Sequence, residues 1–130
     1  MTAKAGTPDD SVPDFLDGDI DHEKVMFTSY PRSGNTLLRS YLEKLTNILT
    51  GSDCEIKRKL NKQLQDLGME GEGELDKKVW VIKTHYPERF GSKKFIADRC
   101  IVITRSPIDC IPSLFHMIGS ISHSSSLTED

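Results

Sequence analysis

A short apolar run, Val25–Tyr30, is cut off by Pro31 and Gly34, and residues spaced for a helix follow at once. Nothing else in the chain restricts the fold as much. Pro and Gly this close together end a strand. From Asn35 onward Leu38, Tyr41, Leu42, Leu45 and Leu49 recur on one helical face, and Gly51 fits a C-terminal stop. The unit reads strand, tight loop, amphipathic helix.

Two further strand-like runs follow, Val79–Lys83 and Cys100–Thr104. Between the first helix and the second strand, Ile56, Leu60, Leu64 and Leu67 predict a helix over Cys54–Leu67, ahead of an acidic loop with Gly68, Gly71 and Gly73. After the third strand, Ser106-Pro107-Ile108-Asp109 has the form of a capping box with proline at the first helical position. The helix it opens should run to Ile118, with Pro112 tightening or bending its first turns. Nearly continuous apolar strands separated by helices predict an α/β fold: a P-loop-like three-layer sandwich around a parallel sheet of about three core strands. The expected organisation is a disordered acidic lead-in over residues 1–24, a partial domain over 25–118 and a polar tail over 119–130.

In parallel sheets ligands bind beyond the carboxyl ends of the strands. Those three ends carry Arg32, then Lys83 with His85, then Arg105. The loop Ser29–Thr36 lies where backbone N–H groups and a helix N-terminus can hold an anion. Against the nucleotide-hydrolase pattern GxxxxGK(S/T), Gly34 and Thr36 fall in register. Ser29 replaces the first glycine, Asn35 replaces the lysine, and Arg32 supplies the positive charge. A bland reading leaves Pro31 and Gly34 as a turn and Arg32 as a surface charge. Past the third strand, where an ATPase places a carboxylate for Mg²⁺, stands Arg105; Asp109 fits better as a helix cap, so ATP hydrolysis is disfavoured.

Charge supports a small anionic ligand. The net charge is −3, but residues 1–24 hold seven acids against two bases, so the remainder carries 13 acids and 15 bases. That mild basicity suits a small polyanion better than a nucleic-acid backbone. Cys54, Cys100 and Cys110 show no paired spacing, and the N-terminus has no signal-like apolar stretch. Both point to reduced thiols and a cytoplasmic protein, and no run reaches the ~18–20 apolar residues of a membrane span. His22, His116 and His123 read as lead-in, helix-surface and tail residues, Lys57–Lys59 as a solvated helix face, and Trp80 as core packing. With no two histidines at ligand spacing, no metal site is expected.

Tyr30–Leu37, read YPRSGNTL, resembles the YPKSGTTW loop of the sulfotransferases that use 3′-phosphoadenosine 5′-phosphosulfate. The family's KTH followed by proline is similar to Lys83-Thr84-His85-Tyr86-Pro87. Its arginine after a strand, with a serine eight positions on, matches Arg105 and Ser113. The resemblance implies that Arg32, Ser33, Gly34, Asn35, Thr36 and Leu37 hold the 5′-phosphosulfate end and the adenine. It likewise implies that Arg105 and Ser113 hold the 3′-phosphate. His85 would be the general base, with Lys83 and Arg32 stabilising charge on the transferring group. Arg32 stands where many members have lysine, and Leu37 where many have tryptophan. The later glycine-rich closing loop of the family finds no counterpart, so the chain reads as truncated and inactive alone. The acceptor, a small molecule or carbohydrate with a hydroxyl or amine, stays open, and an open sheet edge invites self-association. Two other readings remain: a non-catalytic anion- or nucleotide-binding module, and a P-loop kinase or NTPase.

Overall fold

The computed structural model describes residues 12–87, 91–123 and 127. Four strands, β1 (Val25–Ser29), β2 (Gly51–Ser52), β3 (Val81–His85) and β4 (Arg99–Ile103), and three helices, α1 (Asn35–Thr46), α2 (Lys59–Asp66) and α3 (Pro107–Ser120), follow in the order β1-α1-β2-α2-β3-β4-α3, with no helix described between β3 and β4. The sheet is wholly parallel in the order β2-β3-β1-β4. It is therefore α/β, as the alternation of apolar runs and helices requires.

β1 lies at the centre because its apolar side chains are buried between neighbours. Val25 and Phe27 form the core with Val81, and Leu42, Trp80 and Ile103 pack around them. Register aligns the strand ends: Ser29 lies opposite both His85 and Ile103, and Ser52 opposite Lys83. Whatever follows each strand therefore emerges at one edge of the sheet.

Three expectations change. The fourth strand, β2, falls where Gly51 read as a helix stop. The helix ends earlier, at Thr46, with Asn47 in the left-handed conformation (φ 59°) and its N–H bonded to the Glu43 carbonyl. Gly51 is needed for close approach instead, since a Cβ there would lie 2.3 Å from the Glu74 carbonyl oxygen. α2 begins at Lys59 rather than Cys54, because residues 53–58 continue off β2 into a turn closed by Arg58 N–H on the Glu55 carbonyl at 3.4 Å. The lead-in is tied down from Asp14. Asp14 N–H bonds the Asn47 carbonyl, Leu49 N–H bonds the Asp14 carbonyl, and Leu16 N–H bonds the Lys78 carbonyl. Residues 1–11 of that expected lead-in, and part of the expected tail, lie outside the described residues.

α1 buries only Leu42 of its apolar stripe, and that only partly. An amphipathic helix usually faces its apolar side inward, yet Leu38, Tyr41 and Leu45 are exposed, Leu45 by 82%. The buried positions are Asn35, Arg39 and Glu43, which also repeat every fourth residue. Each has a partner across the fold. Arg39, 0% exposed, bonds the Thr50 hydroxyl and carbonyl and forms an ion pair with Glu72. Glu43 accepts from the Thr50 N–H at 2.9 Å and hydroxyl at 2.6 Å. Ile101 and Val102 on β4, and Ile108, Ile111, Phe115 and Ile118 on α3, are exposed as well. No helix among the described residues is long and apolar enough to cross a membrane.

Because the obstacle at Gly51 is backbone, Gly51→Ala should cost about 1–3 kcal/mol of stability through forced displacement of the 71–74 loop. Urea denaturation followed by circular dichroism reads this as a lowered midpoint.

Candidate anion-binding site

The aligned strand ends open into one cavity of about 700 Å³. Its walls include Arg32, Lys83, His85, Arg105 and Ser113, so the residues singled out at the three strand ends do converge. The loop after β1 turns twice through the left-handed region, at Arg32 (φ 67°) and Gly34 (φ 96°). Gly34 is the N-cap of α1, and no side chain caps that end. Nothing lies within 4 Å of where a Gly34 Cβ would stand, so the helix start faces open space. Uncapped N–H groups at a helix start favour an anion.

Arg32 reaches across the cavity. Its Nε donates to Ser113 Oγ at 2.8 Å, and its Nη1 approaches Met117 Sδ at 3.8 Å. Arg105, which is exposed, donates through Nη1 to the Arg32 carbonyl at 3.1 Å. The residues that the resemblance assigns to the two phosphates thus lie side by side, joined through Arg32. Ser33 is buried with its hydroxyl 3.5 Å from Cys110 Sγ. Asn35 is buried too, its Nδ2 donating to the Phe27 carbonyl at 3.4 Å and to Ser29 Oγ at 3.2 Å. Those two side chains brace the loop from beneath, while Thr36 and Leu37 line the cavity.

His85 Nδ1 lies 3.1 Å from the Ser29 carbonyl oxygen. A carbonyl only accepts, so Nδ1 carries the proton and Nε2 keeps its lone pair. Burial foremost, and then the Lys83 ammonium, push the His85 pKa down to about 4, against the opposing effect of the Ser29 bond. The ring is neutral at pH 7. The bland reading of a strand-end histidine bonded to backbone and the reading of a poised acceptor nitrogen are here the same geometry.

Lys83, two residues before His85 on β3, joins a buried cluster that local sequence does not reveal. Lys83 is buried, with Nζ 3.8 Å from Glu72 Oε1. Glu72 is 0% exposed and also takes the Arg39 guanidinium on Oε1 and the Ser52 hydroxyl on Oε2. Burial pushes the Glu72 pKa up, but Lys83, Arg39 and Ser52 outweigh it and hold the carboxyl below its ordinary value. Asp53, at the end of β2, is buried against the Thr84 hydroxyl at 2.6 Å. Arg58 and Lys59, expected on a solvated helix face, join the cavity wall, as does His123, whose Nε2 meets the Leu60 carbonyl at 3.1 Å. Glu72 and Asp53 carried no spacing signal, since their partners lie on other elements.

In the comparisons with known proteins, no family model, curated protein or solved structure matches this chain. Among the described residues no group of three or more His, Cys, Asp or Glu could hold a metal ion.

His85 binds its proton more weakly folded than unfolded. It therefore contributes stability above pH ~6.5 that is lost as the pH falls through about 4. Proton-carbon NMR of the imidazole should show a midpoint near 4 that rises toward 6.5 in Lys83→Met, where the neighbouring ammonium is gone. An unchanged midpoint would remove Lys83 as a cause.

Proposed function

We propose that this chain is the cofactor-binding part of a sulfotransferase, with a P-loop-like loop over residues 29–36 and 3′-phosphoadenosine 5′-phosphosulfate as co-substrate. One observation carries the reading. Arg32, Lys83, Arg105 and the open start of α1 face a single cavity that also holds a neutral His85 with a free Nε2. Fixed cations and N–H groups around one cavity suit a polyanion with charge at both ends.

The donor set fits the co-substrate. The backbone N–H groups at Gly34–Thr36, with Arg32, would hold the phosphosulfate end. Arg105 and Ser113 would hold the 3′-phosphate, once Arg32 releases Ser113. When bound, the co-substrate supplies an activated sulfuryl group. His85 Nε2 would take the proton from the acceptor hydroxyl or amine as that oxygen or nitrogen bonds to sulfur and the S–O bond to the bridging phosphate oxygen breaks. Lys83 and Arg32 stabilise the charge left on the departing phosphate oxygen; Arg32 does so without giving up a proton, because guanidinium stays protonated. A base with a pKa near 4 is weak for this task. A bound polyanion offsets Lys83 and raises it, so base strength would appear only when the cavity is filled.

A non-catalytic anion-binding module is favoured by one observation, the His85 bond to Ser29, which a purely structural histidine would also make. The two readings separate at His85→Ala, which should leave nucleotide affinity almost unchanged and lower transfer by at least about 100-fold in any chain context that shows it.

Calorimetric titration tests the shared step. Adenosine 3′,5′-bisphosphate should bind without added metal. Arg105→Ala should weaken it about 10- to 100-fold while sparing adenosine 5′-monophosphate, because a charged hydrogen bond contributes about 1.5–3 kcal/mol. Equal losses for both ligands would show that Arg105 does not read the 3′-phosphate.

A further inference from the structure

Lys83 is a buried cation on the wall of the cavity, and a buried charge persists only with a counter-charge. Three observations identify that partner. Glu72 Oε1 lies 3.8 Å from Lys83 Nζ, with both side chains buried. Arg39 and the Ser52 hydroxyl hold the same carboxylate, so it cannot follow Lys83 if the lysine moves. Ser52 is also the residue opposite Lys83 in the β2–β3 register, and its hydroxyl accepts the Gly73 N–H at 3.1 Å, pinning the loop that carries Glu72.

We propose that Glu72 is a positioning residue: its clamped carboxylate anchors the Lys83 ammonium in the cavity wall beside His85, where it faces a bound anion. This rests on the anion-binding reading above. Arg39 is the clamp and Lys83 the group that meets ligand. Without Glu72, Lys83 is left beside Arg39 and His85 with no carboxylate fixed against it, and the cavity loses a placed cation. A bulk electrostatic role would act with the opposite sign, because deleting a negative charge near an anion site tightens anion binding. The sign of the effect separates the two.

The test is a double-mutant cycle with Glu72→Gln and Lys83→Met, read by urea unfolding and by calorimetry with adenosine 3′,5′-bisphosphate. Glu43→Gln, another buried carboxylate that bonds Thr50 rather than Lys83, serves as the control. Glu72→Gln should reduce the folding equilibrium constant at least ~10-fold more with Lys83 present than in the Lys83→Met background, as expected for breaking a buried pair from one side. Nucleotide affinity should fall about 10-fold in either single variant, with no further fall in the double variant. Glu43→Gln should leave affinity unchanged. Additive unfolding effects, or nucleotide binding that is unchanged or tighter in Glu72→Gln, would overturn the proposal. Folding of Glu72→Gln only when Lys83→Met is also present counts for it, and failure to fold in both backgrounds counts against it. If the wild-type chain binds no bisphosphate, the sulfotransferase reading fails, and the unfolding cycle alone decides whether Glu72 anchors Lys83.

Discussion

The buried carboxylate of Glu72 ties together the parts of the fold that the sheet alone leaves loosely joined. It brings α1 through Arg39, β2 through Ser52 and β3 through Lys83 to one point. Such a cluster contributes little net stability relative to apolar packing, because taking its charges out of water costs nearly what their attraction returns. What it supplies is intolerance of error. Removing one member leaves a charge without a partner and costs about 3–5 kcal/mol, so α1, β2 and the 71–74 loop assemble together or not at all.

That cluster explains why α1 faces the way it does. Periodicity sees only one chain at a time, and on α1 it finds a leucine and tyrosine stripe. The winning face is the polar one, because Arg39 and Glu43 find Thr50 and Glu72 on elements 7 to 33 residues away. Thr50 lies within a local window but beyond the end of the helix, where helical spacing has no meaning, and Glu72 lies outside any such window. The same blindness hid β2, whose two residues read as a helix stop and a serine. By contrast β1 and β3 were legible as apolar runs because they are buried in a parallel sheet, and β4 by its apolar, β-branched run although it is an exposed edge strand.

The candidate site was legible to the extent that it depends on topology. Once the strands are parallel, their carboxyl ends share one edge, and Arg32, Lys83, His85 and Arg105 must lie near each other. Side-chain direction was not legible. Ser33 and Asn35 turn inward to brace the loop, and Arg32 spans to Ser113, because the left-handed turn at Arg32 aims its side chain across the cavity. The late start of α2 puts Arg58 at its N-cap, against Gly91, and Lys59 in its first turn, and both line the cavity.

The arrangement also links proton affinity to occupancy. His85 feels the Lys83 cation, which lowers its proton affinity, more strongly than the Glu72 carboxylate paired with that lysine, which raises it. Burial foremost, with the Lys83 charge second, keeps the imidazole neutral at pH 7. An anion entering from the cavity side opposes the Lys83 field at short range, where the low dielectric of a closed site makes it count. If the proposed function holds, Nε2 would then become a better proton acceptor once a negatively charged group is in place. In the proposed reading Lys83 would have two effects in one position, attracting the anion and suppressing the base until the anion arrives, and both would depend on its being held by Glu72.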